Sequence, residues 1–260
     1  MSKDIKAEDL RKNKYYKIAH EGSLELNHPA MQILKQEVGQ SDKILDMGCG
    51  EGTRLAKLLG DKNLKEAIGV DNNELAIKLA SNNYPKIRFL VGSLDKLPFR
   101  ENYFNLSFSA YVFEHLETPE KVLKEAFRVT KEGGEIFIVA PNFGSPNRRS
   151  PNSVENRFFK LIKGLLLDFK FLFKKRSSLD WTKVTPRNNR YIIDADTTTE
   201  PYLNSLIKYC NLLGLKVLFA SSYWNMDKWT PFQFLFRILG AFKIYPFYLW
   251  GPHLCLLLKK

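Results

Sequence analysis

Residues 43–53 read Lys-Ile-Leu-Asp-Met-Gly-Cys-Gly-Glu-Gly-Thr. A short apolar run, Ile44, Leu45 and Met47, meets three glycines on alternate positions, Gly48, Gly50 and Gly52, and a helical pattern follows. Glycine lets the backbone turn sharply and approach a ligand closely, because no Cβ intervenes. The helix behind it presents unpaired N–H groups to that ligand. Such a strand–turn–helix unit is by itself a weak signal: it suits a ligand at the turn of an open α/β sheet, and a purely structural turn with no ligand is the alternative. Asp46 stands just ahead of the turn, placed to meet a cationic or hydroxyl-bearing group. Asp71 closes the next apolar run, 67–70, where a carboxylate accepts both hydroxyls of a ribose. A nucleoside ligand is the first expectation. The G-x-G-x-G spacing departs from the G-x-G-x-x-G of dinucleotide sites, and the chain lacks the Gly-Lys-Ser/Thr of a phosphate-binding loop. The ligand that suits the turn therefore carries no phosphate: an adenosine joined to an amino acid.

Apolar runs alternate with helical patterns beyond the turn. Strands are predicted at 43–47, 67–70, 87–91, 104–109 and 135–140, and helices at 53–59, 74–81 and 119–129. This alternation predicts a parallel sheet covered on both faces. Thr118-Pro119 predicts a capped helix start, and Gly133-Gly134 predicts a break before the next strand. Residues 1–38 read as helical, with Tyr15, Tyr16 and Ile18 as apolar contacts. Further on, 154–176 reads as a helix, 177–198 as loop, 199–213 as a helix, 215–220 as a strand and 253–258 as the last strand.

Five stretches carry a resemblance through their order and spacing: Ile44 to Gly52, Ile68-Gly69-Val70-Asp71, Leu97-Pro98-Phe99, Phe113-Glu114-His115-Leu116 and Lys131-Glu132-Gly133-Gly134. Over 43–142 the chain resembles the class I S-adenosylmethionine-dependent methyltransferases, especially the type-11 methyltransferase-domain group. The resemblance implies an α/β fold: a doubly wound, Rossmann-like, mostly parallel seven-stranded sheet with its last strand antiparallel, and helical insertions after strands five and six. It divides the chain into an N-terminal helical cap (1–40), a cofactor-binding core (41–142), a basic amphipathic insertion (143–198) and a C-terminal completion of the sheet (199–260) with an aromatic insertion (224–252). It implies S-adenosyl-L-methionine as the cofactor and methyl transfer as the reaction.

Carried over residue by residue, the resemblance sets Asp46, Gly48, Cys49, Gly50 and Gly52 around the methionine moiety and Asp71 on the ribose. Asn72 lies beside the adenine, and Ser93 and Leu94 flank its other edge. Ser109, Ala110 and Tyr111 border the methyl-donor pocket. Ser93 stands where many relatives carry Asp, and a neutral acceptor holds the adenine amino group more weakly. Asn105 stands where relatives often carry Asp, a capping difference. Cys49 reads as a small turn residue, since a nucleophile there would collide with the cofactor.

The net charge of +12 is unevenly spread. Residues 41–140 hold 14 basic and 15 acidic groups, 141–190 hold 12 and 3, and 201–260 hold 7 and 1. The core is near neutral, and the basic excess lies in the additions that meet substrate or a surface. Cys49, Cys210 and Cys255 are too few and too scattered for a disulfide framework or a zinc site. They fit a reducing cytoplasm, and no metal is expected. The first ten residues show no signal-peptide pattern, and charged residues or proline interrupt each long apolar run short of spanning length. The expected location is cytoplasmic, with peripheral attachment to the inner face of the cell membrane as the variant. On a wheel of 100° per residue, 154–176 puts Phe158, Phe159, Ile162, Leu166 and Phe169 on one half and Lys160, Lys163 and Lys170 on the other. A basic face opposite an aromatic one is the signature of an interfacial helix on anionic lipid. A lid over the core and an oligomer interface satisfy the same wheel, and the aromatic stretch 231–250 adds weight to the lipid.

Several residues carry two readings. His115, after the fourth strand, takes a proton from a hydroxyl or carbon acid, or is a packing histidine. Arg148 and Arg149 follow the fifth strand, where substrate loops lie. They hold a phosphate or carboxylate of the substrate, or belong to a solvated loop. Tyr15 and Tyr16 line the substrate pocket, or simply pack. The leading function is methyl transfer to a small-molecule, lipid or lipid-linked glycan acceptor, with the protein supplying alignment and a dry pocket. A nucleic-acid (RNA) methyltransferase is the second reading, since basic charge suits phosphates. Strand four, however, ends in Ser-Ala-Tyr-Val-Phe-Glu-His rather than Asn/Asp-Pro-Pro-aromatic, and no Pro-Cys dipeptide is present. A non-catalytic S-adenosylmethionine-binding protein is the third.

Overall fold

The computed structural model describes residues 26–62, 65–170, 178–187, 196–224 and 231–260. Helix α1 (Pro29–Gln40) leads into β1 (Lys43–Met47), α2 (Thr53–Leu59), β2 (Glu66–Asp71), α3 (Glu74–Asn83), β3 (Arg88–Val91) and β4 (Phe104–Ala110). A 3-10 turn (Phe113–His115) precedes α4 (Pro119–Val129) and β5 (Thr130–Pro141). Then come α5 (Arg157–Lys170), the short strands β6 (Thr182–Lys183) and β7 (Thr199–Glu200), α6 (Leu203–Leu212), β8 (Lys216–Tyr223), α7 (Pro231–Ala241) and β9 (His253–Lys259). Seven strands form one sheet in the order β3-β2-β1-β4-β5-β9-β8, with β9 antiparallel to both its neighbours. This is the doubly wound, Rossmann-like sheet that the resemblance implies.

Strand periodicity sends neighbouring residues to opposite faces, and both faces are covered. Leu45, Met47 and Ile136 pack with Val122 and Leu123 of α4 and Leu206 of α6. On the other face, Ile44, Phe108 and Phe137 pack with Met31 and Leu34 of α1 and Leu55 of α2. The near-continuous apolar runs of the strands follow from this double burial. Asn105 has a specific use: its Oδ1 accepts from Lys43 N at 3.1 Å and ties the start of β1 to β4. The Leu97-Pro98-Phe99 stretch is held by α4, where Arg128 donates to the carbonyls of Leu97 and Phe99 and Glu125 accepts from Leu97 N.

Of the helix read over 1–38, the structure describes α1 from Pro29, and Tyr15 and Tyr16 lie outside the described residues. Other local expectations are corrected. Thr118 precedes α4, but its hydroxyl makes no capping bond. No break occurs at Gly133-Gly134: Thr130 pairs with Phe104 and, after a register shift, Glu135 pairs with Leu106, so β5 runs through. The polar stretch 177–198 is not all loop, and α6 does not begin at Thr199. Thr182–Lys183 pairs antiparallel with Thr199–Glu200, which joins residues on either side of position 198. The buried Glu200 carboxylate explains the extended backbone there. It accepts from Ser150 N at 2.7 Å and from Lys160 Nζ at 2.5 Å, so residue 200 is pinned by side-chain demands.

That pair also sets the orientation of α5, which the wheel left open. Lys160, on the basic half of the wheel, is 6% exposed, and its Nζ reaches Glu200 and the Phe143 carbonyl. Burial lowers the lysine's affinity for its proton, and Glu200 opposes that shift. Removing one partner of a buried pair strands the other charge. Lys160→Met is therefore expected to cost about 3 kcal/mol in urea denaturation, and adding Glu200→Gln to recover most of it.

Candidate active site

Parallel pairing sets Asp46 and Asp71 at the carboxyl ends of adjacent strands. Between them the chain turns through Gly48, Gly50 and Gly52, with φ of 85°, 54° and 80°. Only glycine adopts three such values in five residues without strain. Gly48 N and Cys49 N both donate to Val70 O, at 2.8 and 3.1 Å, folding the turn back on β2. Asp71 braces it: Oδ2 accepts from Gly50 N and Oδ1 from Asn73 N, each at 2.9 Å. A Cβ on Gly48 would stand 2.4 Å from Val112, and one on Gly52 2.6 Å from Phe89, whereas one on Gly50 meets nothing within 4 Å. The outer glycines are demanded by packing, and the middle one is where the backbone lies open.

Asp46 is 2% exposed, and its Oδ2 has no hydrogen-bond partner among the described residues. Burial, opposed by Arg54 and reinforced by Asp71, pushes its carboxyl up to about 7. A buried acid with an unused oxygen is a receptor for a cation. S-adenosyl-L-methionine carries an ammonium and a sulfonium on a nucleoside, so the residues present fit it: Asp46 for positive charge, Asp71 for ribose hydroxyls, and the open backbone at Gly50 for close approach. Cys49 contributes backbone only. Its Sγ fills the space a Cβ on Gly69 would need, 2.7 Å away. Burial, with the two acids nearby, pushes its thiol well above the ordinary value.

The other expected residues divide by exposure. Asn72 is exposed, and its neighbour Asn73 caps α3, its Oδ1 accepting from Leu75 N and Ala76 N. Ser93 is exposed and donates to Asp95 Oδ1 at 2.6 Å, while Leu94 is buried in the core. Ser109 is fully buried, and its hydroxyl donates to Met47 O at 3.0 Å, which ties β4 to β1. Ala110 is buried, and its carbonyl accepts from Arg54 of α2 at 2.9 Å. The same guanidinium lies 5.5 Å from the Tyr111 ring. Tyr111 holds φ 60°, a conformation rare for a bulky residue. His115 is about a third exposed, with Nδ1 3.4 Å from Asp196 Oδ1 and Nε2 3.7 Å from the buried Glu114. Arg149 is exposed and donates to Glu155 O. Arg148 turns inward, with Nε lacking a partner among the described residues, and burial lowers its pKa.

A cluster that sequence spacing does not announce lies beside Arg148. His28, the N-cap of α1, stands 5.2 Å from the rings of both Tyr223 and His253, and Tyr111 stands 5.8 Å from His253. Burial, then His28 and Arg148, push His253 down to about 4. These residues come from α1, the end of β8, the start of β9 and the turn after β4. Only the antiparallel last strand brings them to the edge where the parallel strands end.

A doubly wound sheet with a glycine turn between two strand-end acids defines a nucleoside-binding protein of the open α/β class. Residues 45–138 match the family model for the methyltransferase domain. Among curated proteins, a probable S-adenosylmethionine-dependent methyltransferase of Mycolicibacterium smegmatis is 32% identical over 110 residues, 42% of each chain. Demethylmenaquinone methyltransferase of Chlorobaculum tepidum is 32% identical over 116 residues, 43% of this chain and 46% of that one. The alignments thus span less than half of these relatives. A crystal structure of an S-adenosylmethionine-dependent methyltransferase from Mesorhizobium loti superposes with a TM-score of 0.55 at 14% identity, covering 90% of this chain and all of that one, a likeness of fold. Over this core the chain is similar to the class I S-adenosylmethionine-dependent methyltransferases.

Proposed function

We propose that this chain methylates a small-molecule acceptor whose reactive ring is carried on an apolar tail, a prenylated quinol being the favoured class. What carries the reading is the site itself: a buried carboxylate with an unused oxygen, facing a glycine turn that stays open at Gly50. When bound, S-adenosyl-L-methionine supplies a methyl group already activated by its sulfonium. The protein's share is then alignment and exclusion of water. Asp46 holds positive charge, Asp71 holds the ribose and keeps the turn closed on β2, and His115 takes the proton that the acceptor releases. Support for that last role is its position on the turn after β4, with Asp196 3.4 Å from Nδ1.

The acceptor class rests on two supports. Relatives named demethylmenaquinone methyltransferase, such as that of Chlorobaculum tepidum, match the core. The ring cluster of Tyr111, Tyr223, His28 and His253, with Arg148 beside it, offers flat apolar surface and one cation to a ring bearing an acidic hydroxyl. RNA is disfavoured because the basic segments also carry large exposed apolar side chains. The test is transfer of radiolabelled methyl from S-adenosyl-L-methionine to a short-tailed demethylnaphthoquinol kept reduced, beside total RNA. Label in the organic extract is the expected result. Label in RNA alone would overturn the acceptor class, and absence of cofactor binding would overturn the enzyme reading.

A further inference from the structure

Helix α5 is amphipathic the wrong way round for a helix packed on a water-soluble core. Lys160 and Asp168 face inward beside Leu161 and Leu167: Lys160 meets Glu200, and Asp168 accepts from Tyr202, Asn204, Tyr245 and Trp250. Gly164 lets this side settle on the 146 loop, since a Cβ there would stand 2.5 Å from Pro146. The apolar side faces out, with Phe158 65%, Phe159 67% and Leu166 57% exposed. Helix α7 repeats the pattern. Phe236 packs on Trp224 and Phe247, while Phe232 and Leu235 point outward and Phe242 follows at 76% exposure. Among the described residues, the strongly exposed large hydrophobic side chains lie at 154–169 and 232–245, with Val91, Leu212 and Leu218 the exceptions. The two stretches adjoin, because Asp168 of α5 holds the hydroxyl of Tyr245, itself half exposed.

We propose that α5 and the 231–245 segment together form one face that docks on an anionic phospholipid bilayer. An apolar surface of this size is costly in water and marks an interaction site. Charge decides what covers it. Residues 141–190 carry 12 basic groups against 3 acidic and 201–260 carry 7 against 1, while the core is balanced. A second copy of this chain would set like charge against like across the interface, whereas a bilayer containing acidic lipid meets both the apolar side chains and the cations. Arg157, Lys163 and Lys243 are exposed beside the apolar residues, placed for headgroups. Among the described residues no helix is long and apolar enough to cross a membrane, so the contact is interfacial. The docking stands on these surfaces, and its use, delivery of a lipid-borne acceptor, rests on the function proposed above.

Vesicle co-sedimentation of the full chain tests it. Wild type is expected to sediment with vesicles of phosphatidylcholine containing roughly one third phosphatidylglycerol, and several-fold less with phosphatidylcholine alone. Phe159→Glu/Leu166→Glu, and separately Phe232→Glu/Phe242→Glu, are each expected to weaken partitioning at least about tenfold. The rise in melting temperature on adding S-adenosyl-L-methionine should be unchanged in both, which separates lost docking from lost folding. Equal sedimentation of wild type and both variants would overturn the proposal. So would failure of wild type to sediment together with a dimer that the same substitutions dissolve. Vesicle binding without cofactor binding would sustain the docking and sink the methyltransferase reading.

Discussion

Asp46→Asn will bind S-adenosyl-L-methionine about a hundredfold more weakly than wild type, yet melt at a higher temperature at pH 8 when no ligand is present. Both effects come from one buried oxygen. Asp46 is walled off from water, and its Oδ2 finds no donor among the described residues. Its carboxyl is therefore pushed from an ordinary 3.8 up to about 7 by burial, with Arg54 opposing and Asp71 adding to the rise. A group whose folded value is raised contributes stability that is full below its ordinary value and is lost as pH rises through the folded one. At pH 8 the unliganded fold carries the whole penalty of a buried charge. Asparagine, nearly the same shape, carries none, so the variant gains on the order of 2 kcal/mol or more. A cationic ligand reverses the balance, because it needs the carboxylate. Wild-type affinity should rise about eightfold between pH 6 and 7.5 as Asp46 ionises, and the Asn variant should show no such slope. Calorimetric titration at the two pH values, beside melting curves of the unliganded proteins, measures all of this. A variant that binds as tightly as wild type would remove Asp46 from the cofactor site.

The glycine turn and the strands that flank it were legible in the sequence because local chemistry dictates them. Three positive-φ values within five residues require glycine, and β1 and β2 are too short and too apolar to be anything but buried strands. What remained hidden is set by partners far along the chain. The wheel for α5 separated aromatic from basic residues correctly but gave no sense of which side faces in. That orientation follows from Glu200 and Tyr202, tens of residues away, which reward burying Lys160 and Asp168. The ring cluster of His28, Tyr223 and His253 depends on β9 running antiparallel between β5 and β8, a fact of topology rather than of spacing. The β6–β7 ribbon is two residues per strand, shorter than any periodicity can reveal.

Asp168→Ala should destabilise the protein by about 4 kcal/mol, more than loss of Lys160. Asp168 is 6% exposed and serves four donors. Its Oδ2 accepts from Tyr202 Oη at 2.6 Å, Trp250 Nε1 at 3.1 Å and Tyr245 Oη at 3.2 Å, and its Oδ1 accepts from Asn204 Nδ2 at 2.9 Å. Burial, with Asp168 adding, drives the Tyr202 hydroxyl well above its ordinary value, so it stays a donor. Alanine orphans all four groups at once, and a buried donor left without an acceptor costs more than the bond it made. Asp168→Asn is the informative comparison. Its amide oxygen can keep the three donors now on Oδ2, and a flip of the Asn204 amide would give its nitrogen an acceptor. The loss should then stay near about 1 kcal/mol. If Asn proves as damaging as Ala in chemical denaturation, the negative charge rather than the number of acceptors holds α5 against Tyr245 and Trp250. The outward turn of the α5 apolar face would then rest on electrostatics.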